Sequence, residues 1–331
     1  MKNLLEVENL KVNFRTKKER LRAVRGISFS LKKGETLCIV GESGCGKSIT
    51  SLSIIGLLPS NGEIAEGSIK LDGNELLGKT ENELEIMRGN EISMIFQEPM
   101  TALNPTFTIG FQLREPLMIH KKMSKKEATK KSIELLEKVG IPNPVEKLRQ
   151  FPHELSGGMR QRVMIAMALA CEPSLLLADE PTTALDVTIQ AQILELMDEL
   201  KRQMGMGVVF VTHDMGVVAE IADRVMVMYA GEVVEIGDVD RIFNHPQHPY
   251  TKGLLGAVPN VDDEEHHLNI IPGSMPNLDD EISGCRFHPR CPYAMDICRK
   301  KNPTTFQVTS SHQSKCWLQE VTDVDRLHTT S

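Results

Sequence analysis

One short stretch limits the choice of fold more than any other. Gly41-Glu42-Ser43-Gly44-Cys45-Gly46-Lys47-Ser48 fits the spacing G-x-x-x-x-G-K-[ST]. It directly follows a continuous apolar run over residues 36–40 and opens a helical run over 49–58. Glycines let the backbone curl so that successive N–H groups face one point, and a helix N-terminus adds the positive end of a dipole. The product is a phosphate cradle, and the residues that would line it are Gly41, Ser43, Gly44, Cys45, Gly46, Lys47, Ser48 and Ile49. Lys47 is suited to the β and γ phosphates and the Ser48 hydroxyl to Mg²⁺. The thiol of Cys45 has a plainer reading, as a small side chain that fits a tight turn. Such a pattern arises by chance in about one chain in a hundred, and the strand–loop–helix context lowers that further.

A phosphate cradle of this kind sits in an α/β sheet, and the rest of the chain agrees. Continuous apolar runs at 36–40, 92–96, 174–178 and 208–211 predict strands buried on both faces, the pattern of a parallel sheet. Helical periodicity lies between them, as in Ile189, Ile193, Leu196 and Leu200, and over residues 125–139. Shorter alternating segments near 5–7, 23–31 and 68–71 predict an antiparallel β subdomain at the N-terminus. Residues 98–170 or so are helical by pattern and interrupt the strand series, as an inserted helical subdomain. After about residue 258 the texture becomes acidic and proline-rich, which predicts a nucleotide-binding domain over 1–258 and a C-terminal extension over 259–331.

Mg²⁺ at a phosphate cradle needs an acidic partner on a neighbouring strand. Ser174-Leu175-Leu176-Leu177-Ala178-Asp179-Glu180 supplies one. Asp179, at the end of the apolar run, is the candidate Mg²⁺ ligand. Glu180, one residue beyond, is the candidate general base for a water aligned on the γ-phosphate. Taken alone, two acids after a strand would be a solvated loop or a helix cap; beside the cradle they read as chemistry.

Leu155-Ser156-Gly157-Gly158-Met159-Arg160-Gln161-Arg162 then precedes a helix running to about residue 170. Ser156 and Gly158 at its start offer a hydroxyl, N–H groups and a dipole end, a second phosphate site. The order of cradle, Gln97, LSGG, Asp179-Glu180, Pro181-Thr182-Thr183-Ala184-Leu185-Asp186 and His213 resembles the ATP-binding cassette (ABC) family over roughly residues 4–258. The resemblance implies a P-loop ATPase in which the LSGG segment of one subunit closes on the nucleotide of another. It further implies that Gln97 contacts Mg²⁺ or the attacking water and couples to a membrane subunit, that His213 touches the γ-phosphate, and that Asp186 lies at the dimer interface. Phe14 falls where the family stacks an aromatic on adenine. Read from the residues alone, Asp186 is equally a helix N-cap and Phe14 a core residue of the N-terminal sheet.

Where the family usually has Gln after LSGG, this chain has Met159. Met there is similar to the D-type ATPase subunits of oligopeptide and dipeptide importers, and His245-Pro246-Gln247-His248-Pro249-Tyr250 resembles the His-Pro-Tyr segment of peptide and nickel importer ATPases. The resemblance implies pairing with an F-type ATPase in a heterodimer, two integral membrane permease subunits, and an extracytoplasmic peptide-binding protein acting indirectly. Read bare, the His and Pro residues at 245–249 stop one helix and start another.

Of the seven cysteines, Cys285, Cys291, Cys298 and Cys316 crowd toward the C-terminus. Four thiolates can enclose zinc or an iron–sulfur cluster. No C-x-x-C knuckle is present, and six basic residues against one acid, Asp296, would offset the charge of either metal site. The resemblance to D-type importer ATPases implies a 4Fe–4S cluster; zinc, or four buried thiols without metal, are the other readings.

Composition narrows the function classes. The net charge of −7 makes the chain a poor non-specific nucleic-acid binder, and aromatics at 4% argue against a base-stacking platform. No apolar run approaches a membrane span and the N-terminus lacks a secretory signal, so the expected location is peripheral, on the cytoplasmic face of the cell membrane. The sequence reading is therefore an ATP-hydrolysing subunit of a peptide importer, with nickel or oligosaccharide as substitute cargo. An ABC ATPase acting on nucleic acid or ribosomes is the rival, against which stand a single cassette and no long heptad run. An iron–sulfur electron carrier is a further class, outweighed by the ATPase motifs.

Overall fold

The computed structural model describes residues 2–17, 19–97, 102–182, 186–257 and 271–320. Two sheets organise them. The first is antiparallel and four-stranded: β1 (Asn3–Arg15), β2 (Arg20–Lys32), β4 (Gly62–Leu71) and β5 (Asn74–Glu75), ordered β2-β1-β4-β5. The second has eight strands. They are β3 (Thr36–Val40), β6 (Ile92–Ile95), β7 (Leu175–Asp179), β8 (Gly207–Thr212), β9 (Arg224–Tyr229), β10 (Glu232–Asp238), β11 (Phe306–Thr309) and β12 (His312–Ser314). Their order is β11-β12-β10-β9-β3-β8-β7-β6, parallel from β9 to β6 and antiparallel from β9 outward to β11.

Strand periodicity explains why the central runs are apolar throughout. In β3, Leu37 and Ile39 face one core, together with Leu5, Val12 and Ile69 of the antiparallel sheet and Ile54 and Ile55 of the helix Lys47–Ile55. Cys38 and Val40 face the other core, with Leu113, Leu117, Leu136 and Val163 of the helical region. Each such side chain, fully buried, contributes about 1.5–3 kcal/mol. The helical insertion is thus held by the same core as the sheet.

Local chemistry sets the helix ends. Helix Lys125–Lys138 begins with a capping box between Ser124 and Glu127, and helix Val187–Met204 begins at the Asp186 cap and ends at Gly205, whose φ is 63°. Helices Ile109–His120 and Gly157–Ala168 complete the main helical pairings, capped by Thr108 and Ser156. The helical region expected over about 98–170 is therefore observed from 109 to 168, residues 98–101 lying outside the described ones.

The predicted parallel strands are found, with the 92–96 run ending at Ile95. The N-terminal strands are much longer than the segments expected, because β1 pairs on both sides, with β2 and β4, through several register shifts. Strands β9 and β10 were not expected. The C-terminal extension also behaves differently from a free-standing appendage: β12 pairs with β10 and carries β11 with it, so residues 306–314 extend the main sheet. A buried pair fastens this junction, His312 Nε2 lying 2.7 Å from Glu235 Oε1.

Candidate active site

The parallel strands β3, β6, β7 and β8 all end on one edge of the sheet, and the segments that leave those ends converge there. Ligands of open α/β sheets sit at this carboxyl edge. Gly41 leaves β3 with a φ of 150°, and a Cβ there would lie 2.2 Å from the Met228 carbonyl oxygen, so only glycine fits. Gly46, at φ 108°, turns the loop into helix Lys47–Ile55. The Gly231 N–H donates to the Cys45 carbonyl at 2.9 Å, which pins the loop to the β9–β10 turn.

Within the loop, Lys47 is buried and its Nζ donates to the carbonyls of Gly41 (2.7 Å) and Glu42 (3.1 Å). Ser43 and Gly44 are exposed, and Ser48 and Ile49 are half-buried. The Cys45 side chain is wholly buried and its thiol is pushed up, chiefly by that burial. Only its backbone remains for the loop, and its N–H donates to the Glu42 carbonyl at 3.3 Å.

Ser48 Oγ donates to Asp179 Oδ1 at 3.0 Å, so the end of β7 meets the first turn of the loop helix. Burial raises the Asp179 carboxyl above its ordinary range, with the Ser48 bond opposing and the neighbouring Glu180 charge adding to the rise. Two hard oxygen donors in contact, one of them a carboxylate strained by desolvation, suit a divalent cation such as Mg²⁺.

Glu180 takes a left-handed backbone, φ 47°, and its N–H donates to the Val211 carbonyl at 2.9 Å. A non-glycine residue in this region costs of order 1 kcal/mol or more. The turn directs its carboxylate between two neighbouring strand ends. Gln97 Nε2 donates to Glu180 Oε2 at 2.8 Å, and His213 Nδ1 lies 3.1 Å from Glu180 Oε1. Gln97, Glu180 and His213, scattered over the sequence, form one connected group.

The LSGG segment begins helix Gly157–Ala168. Ser156 is its exposed N-cap, accepting from the Met159 N–H at 3.3 Å. Gly158 packs on Ile189, where a Cβ would approach to 3.2 Å. Gln161, which the sequence reading left without a role, is buried and donates to the Pro181 carbonyl, joining this helix to the segment after Glu180. Asp186 caps helix Val187–Met204, accepting from the Ile189 N–H at 2.9 Å, as its plainer reading anticipates. Thr183, Ala184 and Leu185 lie outside the described residues. Phe14 is half-buried on β1, next to Gly62, and is not among the buried core.

Two family models match the chain: "ABC transporter" over residues 24–183 and "Oligopeptide/dipeptide transporter, C-terminal region" over residues 234–298. Oligopeptide transport ATP-binding protein AppD of Bacillus subtilis (strain 168) is 56% identical over 321 residues, covering 97% of this chain and 98% of that protein. The chain belongs to the ABC transporter family. Dipeptide transport ATP-binding protein DppD of Escherichia coli (strain K12) is 49% identical, over 95% of this chain and 96% of that protein. Among solved structures, the dimeric post-hydrolysis state of the ATP-binding cassette MJ0796 bound to ADP and Pi aligns with a TM-score of 0.65. Its identity is 30%, over 71% of this chain and 98% of that one.

In this ABC protein the C-terminal extension carries four of the cysteines, Cys285, Cys291, Cys298 and Cys316. Cys285 and Cys298 are tied by the Cys285 N–H, which donates to the Cys298 carbonyl at 2.8 Å. The Cys316 thiol is pushed up to about 12, mainly by burial and further by Cys285, Cys291 and Cys298. The thiols therefore share one neighbourhood. Among the described residues, however, no group of three or more His, Cys, Asp or Glu side chains is arranged to hold a metal ion. The geometry thus lends no support to the expected zinc or iron–sulfur site. The His-Pro-Tyr segment has the structural role read from it: His248 is buried, caps helix Pro249–Gly256 by accepting from the Tyr250 N–H at 3.1 Å, and places Pro249 in the first turn. No helix among the described residues is long and apolar enough to cross a membrane.

Proposed function

We propose that this chain is the ATP-hydrolysing subunit of an importer for dipeptides or oligopeptides. The observation that carries the ATPase reading is the convergence of Ser48 and Asp179, 3.0 Å apart, with the connected Gln97–Glu180–His213 group at one sheet edge. The peptide cargo is supported by the oligopeptide/dipeptide C-terminal model and by the names of the relatives.

In this reading the loop N–H groups and Lys47 bind the phosphates, while Ser48 and Asp179 would hold Mg²⁺, which offsets phosphate charge. Glu180 accepts a proton from the attacking water at one of its carboxylate oxygens. Gln97 and His213 hold that carboxylate from two sides, and so fix its orientation toward the γ-phosphate. Ser156 and Gly158 serve the nucleotide of a second ATPase subunit, with Asp186 at the interface and Phe14 against adenine. The second subunit is an F-type chain, and both dock on two membrane permeases at the cytoplasmic face, fed by an extracytoplasmic peptide-binding protein. The Glu180→Gln variant tests the assignment. It should bind ATP as the native chain does and lower turnover of the assembled transporter by about 10²-fold or more. Full turnover would reject Glu180 as the base.

For Cys285, Cys291, Cys298 and Cys316 the cluster reading rests on the four-thiol donor set, the resemblance and the shared surroundings of the thiols, and not on a preformed ion site. A cluster there would cross-link the extension. Iron, acid-labile sulfide and zinc per chain, measured on protein purified without oxygen, decide it. About four irons and four sulfides would establish the cluster, whereas zinc or no metal would remove it and leave the ATPase reading intact.

A further inference from the structure

The phosphate loop and the cysteine-bearing extension meet at one residue, Glu42. Its backbone N–H donates to the Tyr250 hydroxyl at 2.8 Å, so this N–H is already committed inside the protein. Its carboxylate is gripped by both terminal nitrogens of Arg290, at 2.7 and 3.0 Å. Arg290 stands next to Cys291, and its side chain is only 6% exposed against 32% for Glu42. It is itself fixed: Nε donates to the Pro272 carbonyl at 2.8 Å, Nη2 reaches the Gly273 carbonyl at 3.3 Å, and the guanidinium lies 5.8 Å from the centre of the Tyr229 ring. Tyr229 in turn packs against Tyr250 and Phe287.

A carboxylate inside a phosphate cradle works against the binding of a polyanion. Left unpaired, Glu42 would repel the nucleotide phosphates or draw on Lys47, whose Nζ already donates to the Glu42 carbonyl at 3.1 Å. We propose that Arg290 is a positioning residue for nucleotide binding: it neutralises Glu42 and holds it away from the phosphates, so that the C-terminal extension sets the affinity of the phosphate loop. This rests on the reading of residues 41–48 as the nucleotide cradle. It gives the extension a role in the ATPase cycle whether or not its cysteines carry a metal.

The test is the dissociation constant of Mg-ATP, measured by titration calorimetry on the full chain and on variants shown by circular dichroism to be folded. Arg290→Met should weaken binding by about tenfold or more. Adding Glu42→Gln to it should restore most of the affinity, because the repelling charge is gone. Arg290→Lys, which keeps the charge without the two-point grip, should fall between native and Arg290→Met. In the assembled transporter Arg290→Met should raise the KM for ATP with little change in kcat. Native affinity in Arg290→Met, or a double variant no tighter than the single one, would overturn the proposal. If Arg290→Met does not fold, native affinity in Arg290→Lys would overturn it instead. Failure of the native chain to bind Mg-ATP at all would instead overturn the cradle reading.

Discussion

Asp179 shows what a single side chain gives up for its position. Burial raises its carboxyl above the ordinary range, which means that the fold disfavours the charged form. The folded protein binds this proton more tightly than the unfolded chain does, and stability is lost as pH rises through the raised value. Asp179→Asn keeps an acceptor for Ser48 and removes the charge. It should therefore raise the melting temperature by about 2 °C or more while abolishing Mg²⁺-dependent nucleotide binding. A lower melting temperature with binding intact would refute this, and calorimetry with and without Mg-ATP reads both. Lys47, Ser48, Asp179 and Glu180 were legible in the sequence because each sits in a short motif whose spacing is set by local backbone geometry. The Arg290–Glu42 pair was not, since its partners stand 248 residues apart and neither belongs to a pattern that points to the other.

At the level of elements, the parallel strands were legible because burial on both faces leaves a continuous apolar run. Strands β11 and β12 were hidden, being short and polar; what brings them into the sheet is a buried His312–Glu235 contact that only the folded chain creates. The helix start at Pro249 makes a related prediction. Burial lowers the His248 imidazole to about 4 from an ordinary 6.5, with the Glu235 charge opposing. Between these values the unfolded chain binds the extra proton, so the stability that neutral His248 supports is complete above about 6.5 and is lost on acidification toward 4. His248→Asn keeps a capping acceptor without titrating there. Urea unfolding across this pH interval should give a shallower decline for the variant; equal slopes would show that His248 does not couple to folding.

For the whole molecule, two sheets and a helical insertion share two cores, and every proposed catalytic group lies on one edge of the larger sheet. The Arg290–Glu42 pair ties the phosphate loop to the C-terminal extension, and Gln161 ties the LSGG helix to the segment after Glu180. Transport of peptides by this fold is read out by the uptake of a labelled tripeptide in cells that produce either the native chain or Glu180→Gln. Uptake is expected with the native chain and none above background with the variant at equal protein level. Equal uptake by both would contradict it.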